Sequence, residues 1–269
     1  MGLALRTLLG RLLTGWPQAG VPPFAVAEQA LPVFSTEAAA SQGTPCDQIR
    51  ALEFVALPGT AFRVLRAAGD RHTGPLEVST CDYPTPRGVR LYVSRSGLQA
   101  RPAPPPPRPR TFPGRDAVLE SLRSALGTPY VWGGNLRGGV RVGEVQGAYA
   151  GLDCSGLLYE ATGGFTPRNT SDLTHYGKAV PIKGLDRDQI IARLEPLDLI
   201  AWKGHVIIVL DRETVIESRR LCRAPGQGGV RATPARERLE EVMAQRSPAG
   251  TWPAHGKAAP LFVVRRWLD

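Results

Sequence analysis

The hydrophobic pattern of the second half of the chain predicts helices packed on an antiparallel sheet. The segment 116–126 repeats apolar residues at the spacing of one helical face, and Gly127 follows it directly. A second helix is expected to begin near Cys154 and to end at Gly163. Apolar runs bounded by turn residues predict strands at 197–202, 205–210, 215–218 and 261–268. The fold class expected for this half is therefore α+β.

The stretch before residue 101 has a different pattern, because short apolar runs there alternate with Gly, Pro and Asp turns. The runs lie at 54–57, 62–65 and 89–93, and they predict a small all-β barrel. The sequence RPAPPPPRPR follows at 101–110. Its prolines fix φ and supply no backbone donors, so we expect an extended connector.

These patterns divide the chain into four segments. They are an amphipathic or flexible leader at 1–40, an all-β domain at 41–100, a Pro-rich linker at 101–112 and an α+β domain at 113–269. The leucines of the leader lie mainly along one helical stripe, but Arg6 and Arg11 interrupt the apolar stretch. A secretory signal is the less favoured interpretation, although an A-x-A-like site occurs at 25–27. No apolar run approaches the ~20 residues of a membrane-spanning helix.

The composition is that of an ordinary globular protein, and the net charge does not identify a binding partner. Hydrophobic residues make up 42% of the chain and charged residues 21%, as in an ordinary globular protein. The net charge of +9 comes mostly from arginines scattered along the chain. There is no dense basic run interleaved with aromatics, so a solvated basic surface is favoured over nucleic-acid binding.

The four cysteines are widely spaced, and no CxxC pair occurs among them. A structural zinc site is therefore not expected, and no metal or organic cofactor is implied. Cys46 and Cys81 would form a disulfide in an oxidising compartment, but two half-buried thiols is the favoured interpretation.

Three residues of the second half form a candidate catalytic group. A helix that begins at Cys154 places the thiol where unpaired backbone N–H groups and the helix dipole favour the thiolate. His205 opens an apolar strand after a tight turn and could serve as the base. Glu217 lies twelve residues later on the predicted neighbouring strand and could orient the imidazole. The non-catalytic alternatives are that Cys154 is a buried structural cysteine, His205 a strand-end surface histidine and Glu217 a surface glutamate. His175 is the rival histidine and is expected at the surface.

Successive motifs of the second half resemble those of NlpC/P60 cysteine peptidases and occur in that family's order. They are GTPYVWGG at 127–134, GLDCSGL at 151–157, PRNT at 167–170, PLDLIAW at 196–202 and GHVIIVL at 204–210. The resemblance implies a papain-like α+β core with Cys154 as the nucleophile and His205 as the base. The family's third position is usually His, Asn or Gln, and Glu217 departs from that pattern.

Within the family, the chain resembles γ-D-glutamyl-L-diamino-acid endopeptidases that carry an N-terminal SH3-like domain. The stretches ALPGTAFRVLRAAGD and GVRLYVSRSGL resemble such an SH3-like barrel. The resemblance assigns Tyr130 to support of the oxyanion, and Asp153 and Ser155 to the free amine of the substrate's L-Ala. It assigns Thr170 to the D-Glu carboxylate region, and Trp132 also to substrate binding. The alternative is that Asp153, Ser155 and Thr170 only brace the loop.

The function that this resemblance implies is hydrolysis of the γ-D-Glu–diamino-acid bond in peptidoglycan-derived peptides. A buried Asp153 would need a cationic partner, and a substrate ammonium would supply one, so a free amine is the expected preference. A non-catalytic module that binds wall peptide, or an acyltransferase on the same core, are the alternatives. A cytoplasmic location is favoured over a periplasmic or secreted one. The segments 136–150 and 219–260 predict no role beyond a helix at 236–245.

Overall fold

The computed structural model describes residues 21–37, 51–70, 73–220, 228–253 and 260–268. Their contacts divide the described residues into two compact units. The first ends at Pro109 and the second begins at Arg110, close to the boundary that the Pro-rich segment predicts.

The first unit is an antiparallel sheet of seven strands. In chain order they are β1 (Phe24–Ala27), β2 (Leu31–Phe34), β3 (Leu52–Ala56), β4 (Ala61–Ala67), β5 (Leu76–Ser79), β6 (Leu91–Val93) and β7 (Leu98–Arg101). They are hydrogen-bonded in the order β3-β2-β6-β5-β4-β1-β7. Alternate residues point inward along β4, where Phe62 and Val64 are buried and Arg63 and Leu65 are not. The all-β prediction holds for this unit, while the SH3-like barrel stays a prediction.

The predicted leader is wrong at its C-terminal end, because residues 24–34 form the first two strands of this sheet. Strand β1 pairs with β4 on one side and with β7 on the other, and Ala25 and Ala27 are buried. Residues 25–27, which form the A-x-A-like site, lie within this strand. Small alanines give a weak strand signal in sequence, although they fit where neighbouring strands pack closely. The rest of the leader, residues 1–20 and 38–40, lies outside the described residues.

The Pro-rich segment belongs to the first unit over most of its length. Strand β7 includes Arg101, and an extended stretch follows it. The guanidinium of Arg108 forms an ion pair with the buried Asp82, with 3.1 Å between Nε and Oδ2. Thr60 donates a hydrogen bond to the same carboxylate. The segment predicted as a free linker is thus fixed to the β unit at its arginine.

The second unit contains helices on both faces of an antiparallel sheet. Its elements are α1 (Arg115–Ser124), β8 (Asn135–Leu136), β9 (Val140–Val142), β10 (Val145–Ala148), β11 (Gly151–Leu152), α2 (Cys154–Ala161), α3 (Thr170–Leu173), β12 (Lys178–Val180), α4 (Arg187–Ile191), β13 (Leu199–Trp202), β14 (His205–Val209), β15 (Thr214–Arg220), β16 (Gly228–Pro234), α5 (Ala235–Met243), β17 (Ser247–Pro248) and β18 (Leu261–Arg266). The main strand order is β12-β18-β13-β14-β15-β16, and β17 pairs with β18. The α+β prediction and the predicted helices and strands of this half are confirmed.

Two apolar layers explain why the sheet strands appear as continuous hydrophobic runs. In β14, Val206 and Ile208 pack in the layer with α1 and α2, whereas Ile207 and Val209 pack in the layer with α4 and α5. Because both faces are covered, every position of the strand after His205 is buried. The ends of the strands next to α2 are therefore where polar side chains can meet without disturbing the core.

Candidate active site

The nucleophile candidate Cys154 is the first residue of α2, as the sequence predicts. The helix is capped by Asp153, whose carboxylate accepts a hydrogen bond of 2.6 Å from the backbone N–H of Gly156. A Cβ at Gly156 would lie 1.9 Å from the carbonyl oxygen of Gly134, so only glycine allows this close approach. The glycines of the two motifs thus hold the start of α2 against the loop that carries Tyr130.

The structure brings His205 and Glu217 to the thiol. The Nε2 atom of His205 lies 2.5 Å from Oε2 of Glu217, across the neighbouring strands β14 and β15. The imidazole also forms a side-chain hydrogen bond with Cys154. The Sγ atom of Cys154 lies 4.0 Å from the carbonyl oxygen of Gly204. The chain therefore places a thiol, an imidazole and a carboxylate in series.

The imidazole of His205 is stabilised in its charged form. Burial alone would lower its pKa, but the hydrogen bonds and negative charges of Cys154 and Glu217 outweigh burial and raise the pKa to about 9. Burial acts against the charge of Glu217 as well. Hydrogen bonds from His205 and Arg238 outweigh it and lower the pKa of the carboxyl. The two shifts favour a charged His205 imidazole beside an ionised Glu217 at neutral pH.

Arg238 is a site residue that sequence reasoning missed. It projects from α5 and is buried, and its Nε and Nη2 atoms lie 2.6 Å and 3.2 Å from the two carboxylate oxygens of Glu217. Its Nη1 atom also donates to Glu241, one turn further along the helix. The sequence offers only a weak signal, an arginine on the apolar side of the helix predicted at 236–245.

The carboxylate of Asp153 has an internal cationic partner, which corrects the premise of the amine prediction. Arg168 donates to both carboxylate oxygens, at 2.9 Å and 2.7 Å, in a bidentate pair that is almost fully buried. The backbone N–H of Gly133 donates to the same carboxylate, and Arg168 also donates to the hydroxyl of Ser155. Asp153 does not need a substrate ammonium to balance its charge. Arg168 is the second residue of the PRNT motif, and sequence reasoning missed its pairing with Asp153.

Tyr130 lies close enough to Cys154 for the charges of the two side chains to interact. Burial is the largest cause that raises the pKa of its hydroxyl, and the nearby charges of Asp153 and Cys154 raise it further. The phenol therefore stays protonated over the whole working pH range and can donate a hydrogen bond. A donor held beside the candidate nucleophile is the arrangement that oxyanion support requires.

Thr170 and Trp132 take different positions in the site. The hydroxyl of Thr170 accepts a hydrogen bond of 2.9 Å from the backbone N–H of Gly204, the residue before His205. This contact matches the bracing role that was the alternative for Thr170. Trp132 is 45% exposed, so its ring is accessible at the surface beside the loop of Tyr130.

The ring of Trp202 flanks the base from the paired strand. It lies 5.1 Å from the imidazole of His205, and the guanidinium of Arg246 lies 4.7 Å from the Trp202 ring centroid. His175, the rival histidine, is exposed, as predicted. The two remaining histidines, His72 and His255, lie outside the described residues, as does Cys46. Its proposed disulfide partner Cys81 is exposed rather than half-buried.

The segments left without a role contain regular structure. The loop 136–150 holds the hairpin β9–β10, whose Val142 and Val145 are exposed. Arg137, at its base, pairs with Glu160 of α2 at 2.8 Å. In the part of the chain that the structure describes, no cluster of three or more His, Cys, Asp or Glu side chains could hold a metal ion. None of the described helices is long and apolar enough to cross a membrane.

Comparisons with known proteins find similar proteins among solved structures alone. No protein-family model matches the chain, and no curated protein matches it. An NlpC/P60 family protein from Bacillus cereus aligns over 92% of this chain and 64% of its own, at 16% identity and a TM-score of 0.37. A P60 domain of an antigen from M. avium subspecies paratuberculosis covers 56% of this chain and 92% of its own, at 25% identity and a TM-score of 0.33.

An NlpC/P60 endopeptidase from Photobacterium damselae subsp. piscicida aligns over 79% of this chain and 66% of its own. Its identity is 12% and its TM-score is 0.42. This chain therefore spans just under two thirds of the Bacillus and Photobacterium structures. All three are proteins of the NlpC/P60 family, whose motifs the sequence resembles.

Proposed function

We propose that the protein is a cysteine endopeptidase that hydrolyses the γ-D-Glu–diamino-acid bond of peptidoglycan stem peptides. The observation that carries the proposal is the series formed by Cys154, His205 and Glu217, with the thiol at the start of α2. A phenol donor, Tyr130, lies beside the thiol. A buried structural cysteine would not need a charged imidazole held against it.

The chemistry follows from the charges in the site. The Cys154 thiolate attacks the γ-carbonyl carbon of D-Glu, and the phenol of Tyr130 donates to the oxygen that becomes negative. The C–N bond then breaks, and the His205 imidazolium gives its proton to the leaving amine. Neutral His205 takes a proton from the water that attacks the thioester. The dipeptide acid leaves, and the thiolate–imidazolium pair is restored.

The choice of bond rests on the motifs that resemble γ-D-glutamyl-L-diamino-acid endopeptidases. In this proposal the side chain of Trp132 contacts the substrate, and Thr170 holds the loop of Gly204 on which the D-Glu region rests. The N-terminal β unit is an SH3-like module, and the protein acts in the cytoplasm on released wall peptides.

The activity should fall on the alkaline side with a midpoint near pH 9. His205 must be protonated to release the amine, and its pKa is raised to about 9, so the acid form is lost as pH rises through that value. Replacing Glu217 with Gln removes a negative charge from the imidazole, and the midpoint should move to lower pH. The measurement is kcat/KM against pH for both proteins. A midpoint that stays in place in Glu217→Gln would contradict the assigned role of this carboxylate.

A blocked amine should be tolerated better than the resemblance alone implies. Asp153 is already neutralised by Arg168, so acetylation of the L-Ala amine leaves no unpaired buried carboxylate in the site. We expect kcat/KM for acetyl-L-Ala-γ-D-Glu-meso-diaminopimelate to fall by less than about tenfold relative to the free peptide. A fall of a thousandfold or more would show that the amine is recognised and would restore the Asp153 assignment.

The bond itself is tested with two isomeric peptides. The protein is incubated with L-Ala-γ-D-Glu-meso-diaminopimelate and with the isomer in which D-Glu is linked through its α-carboxyl, and products are identified by mass spectrometry. The proposal requires release of L-Ala-D-Glu from the γ-linked peptide and much slower cleavage of the α-linked one. Equal cleavage would remove the bond assignment but keep the peptidase. Binding of the γ-linked peptide without cleavage would favour the non-catalytic module.

A further inference from the structure

The carboxylate that orients His205 is itself held from a third element. Glu217 is fully buried on β15, and its two oxygens accept from Nε and Nη2 of Arg238 on α5. The same carboxylate faces Nε2 of His205. A planar guanidinium that contacts both oxygens fixes the rotation of the carboxylate about its terminal bond as well as its position.

We propose that Arg238 is a positioning residue that keeps Glu217 ionised and aimed at His205, so that the imidazolium stays held against Cys154 at acid pH. This inference rests on the proposed function. It adds Arg238, a residue of α5 that acts on Cys154 only through Glu217 and His205.

The energetic reason is the cost of a charge at a site with no exposure to water. A buried carboxylate without a cation tends to bind a proton, and a neutral carboxyl cannot stabilise an imidazolium. Burial opposes the charge of Glu217, yet the pKa of the group is lowered because His205 and Arg238 both donate to it. His205 is the partner that must exchange protons during turnover. Arg238 takes no part in proton transfer, so it is the fixed part of the arrangement.

The other charges near Glu217 do not replace Arg238. Arg219, on the same strand, lies farther away, with 3.8 Å between its Nε and Oε1 of Glu217, and its side chain is 28% exposed. The carboxylate of Glu241 contacts both Arg219 and Arg238, so its negative charge offsets part of their positive charge. On the far side of β15, the strand partner of Glu217 is Arg231, which is exposed.

The test measures the pH dependence of Cys154 alkylation by iodoacetamide, with labelling at Cys154 followed by peptide mass spectrometry. In Arg238→Gln, Glu217 should take up a proton at a higher pH than in the wild type. An imidazolium that is no longer held against Cys154 favours the thiolate less, so the acid limb of the alkylation rate should move up by about one pH unit or more, with little change above neutral pH. Unfolding of the variant would instead expose Cys154 and change its pH profile, so circular dichroism at each pH distinguishes a loss of folding from the shifted limb.

Two further variants separate the charge from the fold. Arg238→Lys keeps a cation that reaches one oxygen, so its limb should lie between those of the wild type and Arg238→Gln. Arg236→Gln is the matched control, because Arg236 is on the same helix but is 59% exposed and pairs with Asp188. Its limb should coincide with the wild-type limb.

A double variant keeps the test valid if Arg238→Gln does not fold. Glu217→Gln with Arg238→Gln removes both buried charges together, and its acid limb should match that of Glu217→Gln alone, since Arg238 acts only through the carboxylate. A wild-type Cys154 that reacts no faster than the exposed Cys81 would overturn the proposed function and this inference with it. A reactive wild type whose limb is unshifted in Arg238→Gln, or a further shift in the double variant, would overturn the inference alone.

Discussion

Replacing Arg168 with methionine should lower the free energy of unfolding of the second unit by about 3–5 kcal/mol. The variant leaves the carboxylate of Asp153 buried without a cation, and it also removes a donor from the hydroxyl of Ser155. Both groups lie in the first turn of α2, so the start of the helix that carries the thiol would lose its anchor. Urea unfolding followed by tryptophan fluorescence measures the effect, because four of the five tryptophans lie at residues 132–267.

The pairing makes a second, more specific expectation. Asp153→Asn combined with Arg168→Met removes both charges, and the double variant should be more stable than Arg168→Met alone. Arg236→Met is the control, since its ion pair with Asp188 is exposed and should contribute little. If Arg168→Met were as stable as this control, the Asp153–Arg168 pair would not anchor the helix.

Replacing Cys154 with alanine should reduce the peptidase rate by about four orders of magnitude or more. The reason is that no other described group in the site can form the thioester, so only uncatalysed attack by water would remain. The peptide should still bind, because Trp132 and Tyr130 are unchanged. Steady-state kinetics and peptide binding by calorimetry test the two halves of this expectation.

Two control variants accompany Cys154→Ala. Cys81→Ala removes an exposed cysteine of the first unit and should leave the rate unchanged. Cys154→Ser puts a hydroxyl of similar size in place of the thiol. Because a hydroxyl is a weaker nucleophile, most of the activity should be lost in this variant as well. A Cys154→Ala protein that retains more than a tenth of the wild-type rate would remove the thiol mechanism.

Local sequence patterns could predict the parts of the site that depend on one element at a time. The start of α2 at Cys154 follows from a helix signal with an Asp cap, and the strand that His205 opens follows from a run of apolar residues. Glu217 could be placed on the next strand because the turn between the strands is short. The structure puts all three in contact, and their roles stay predictions.

The arginines could not be predicted in the same way. Arg168 and Arg238 meet their carboxylates across 15 and 21 residues, and nothing in the local pattern says which of the 33 basic residues is buried. The rule that a buried charge is paired applies to any sequence, but the sequence does not reveal the partner. For Asp153 the family resemblance implies a substrate amine as the cationic partner, whereas in the structure the partner is Arg168.

The leader was misassigned for a related reason. Strands β1 and β2 contain alanines and a proline, and their strand character comes from pairing on both sides rather than from their own side chains. The partners of β1 lie about 35 to 77 residues away, from Ala61 opposite Val26 to Arg101 opposite Phe24, and they leave no trace in a short window of sequence.

The most direct measurement of the central claim is the product analysis of L-Ala-γ-D-Glu-meso-diaminopimelate treated with wild-type protein and with Cys154→Ala in parallel. The proposed thiol mechanism requires equimolar L-Ala-D-Glu and diaminopimelate from the wild type and neither product from the variant. Cleavage at another bond, or equal release by both proteins, would contradict it.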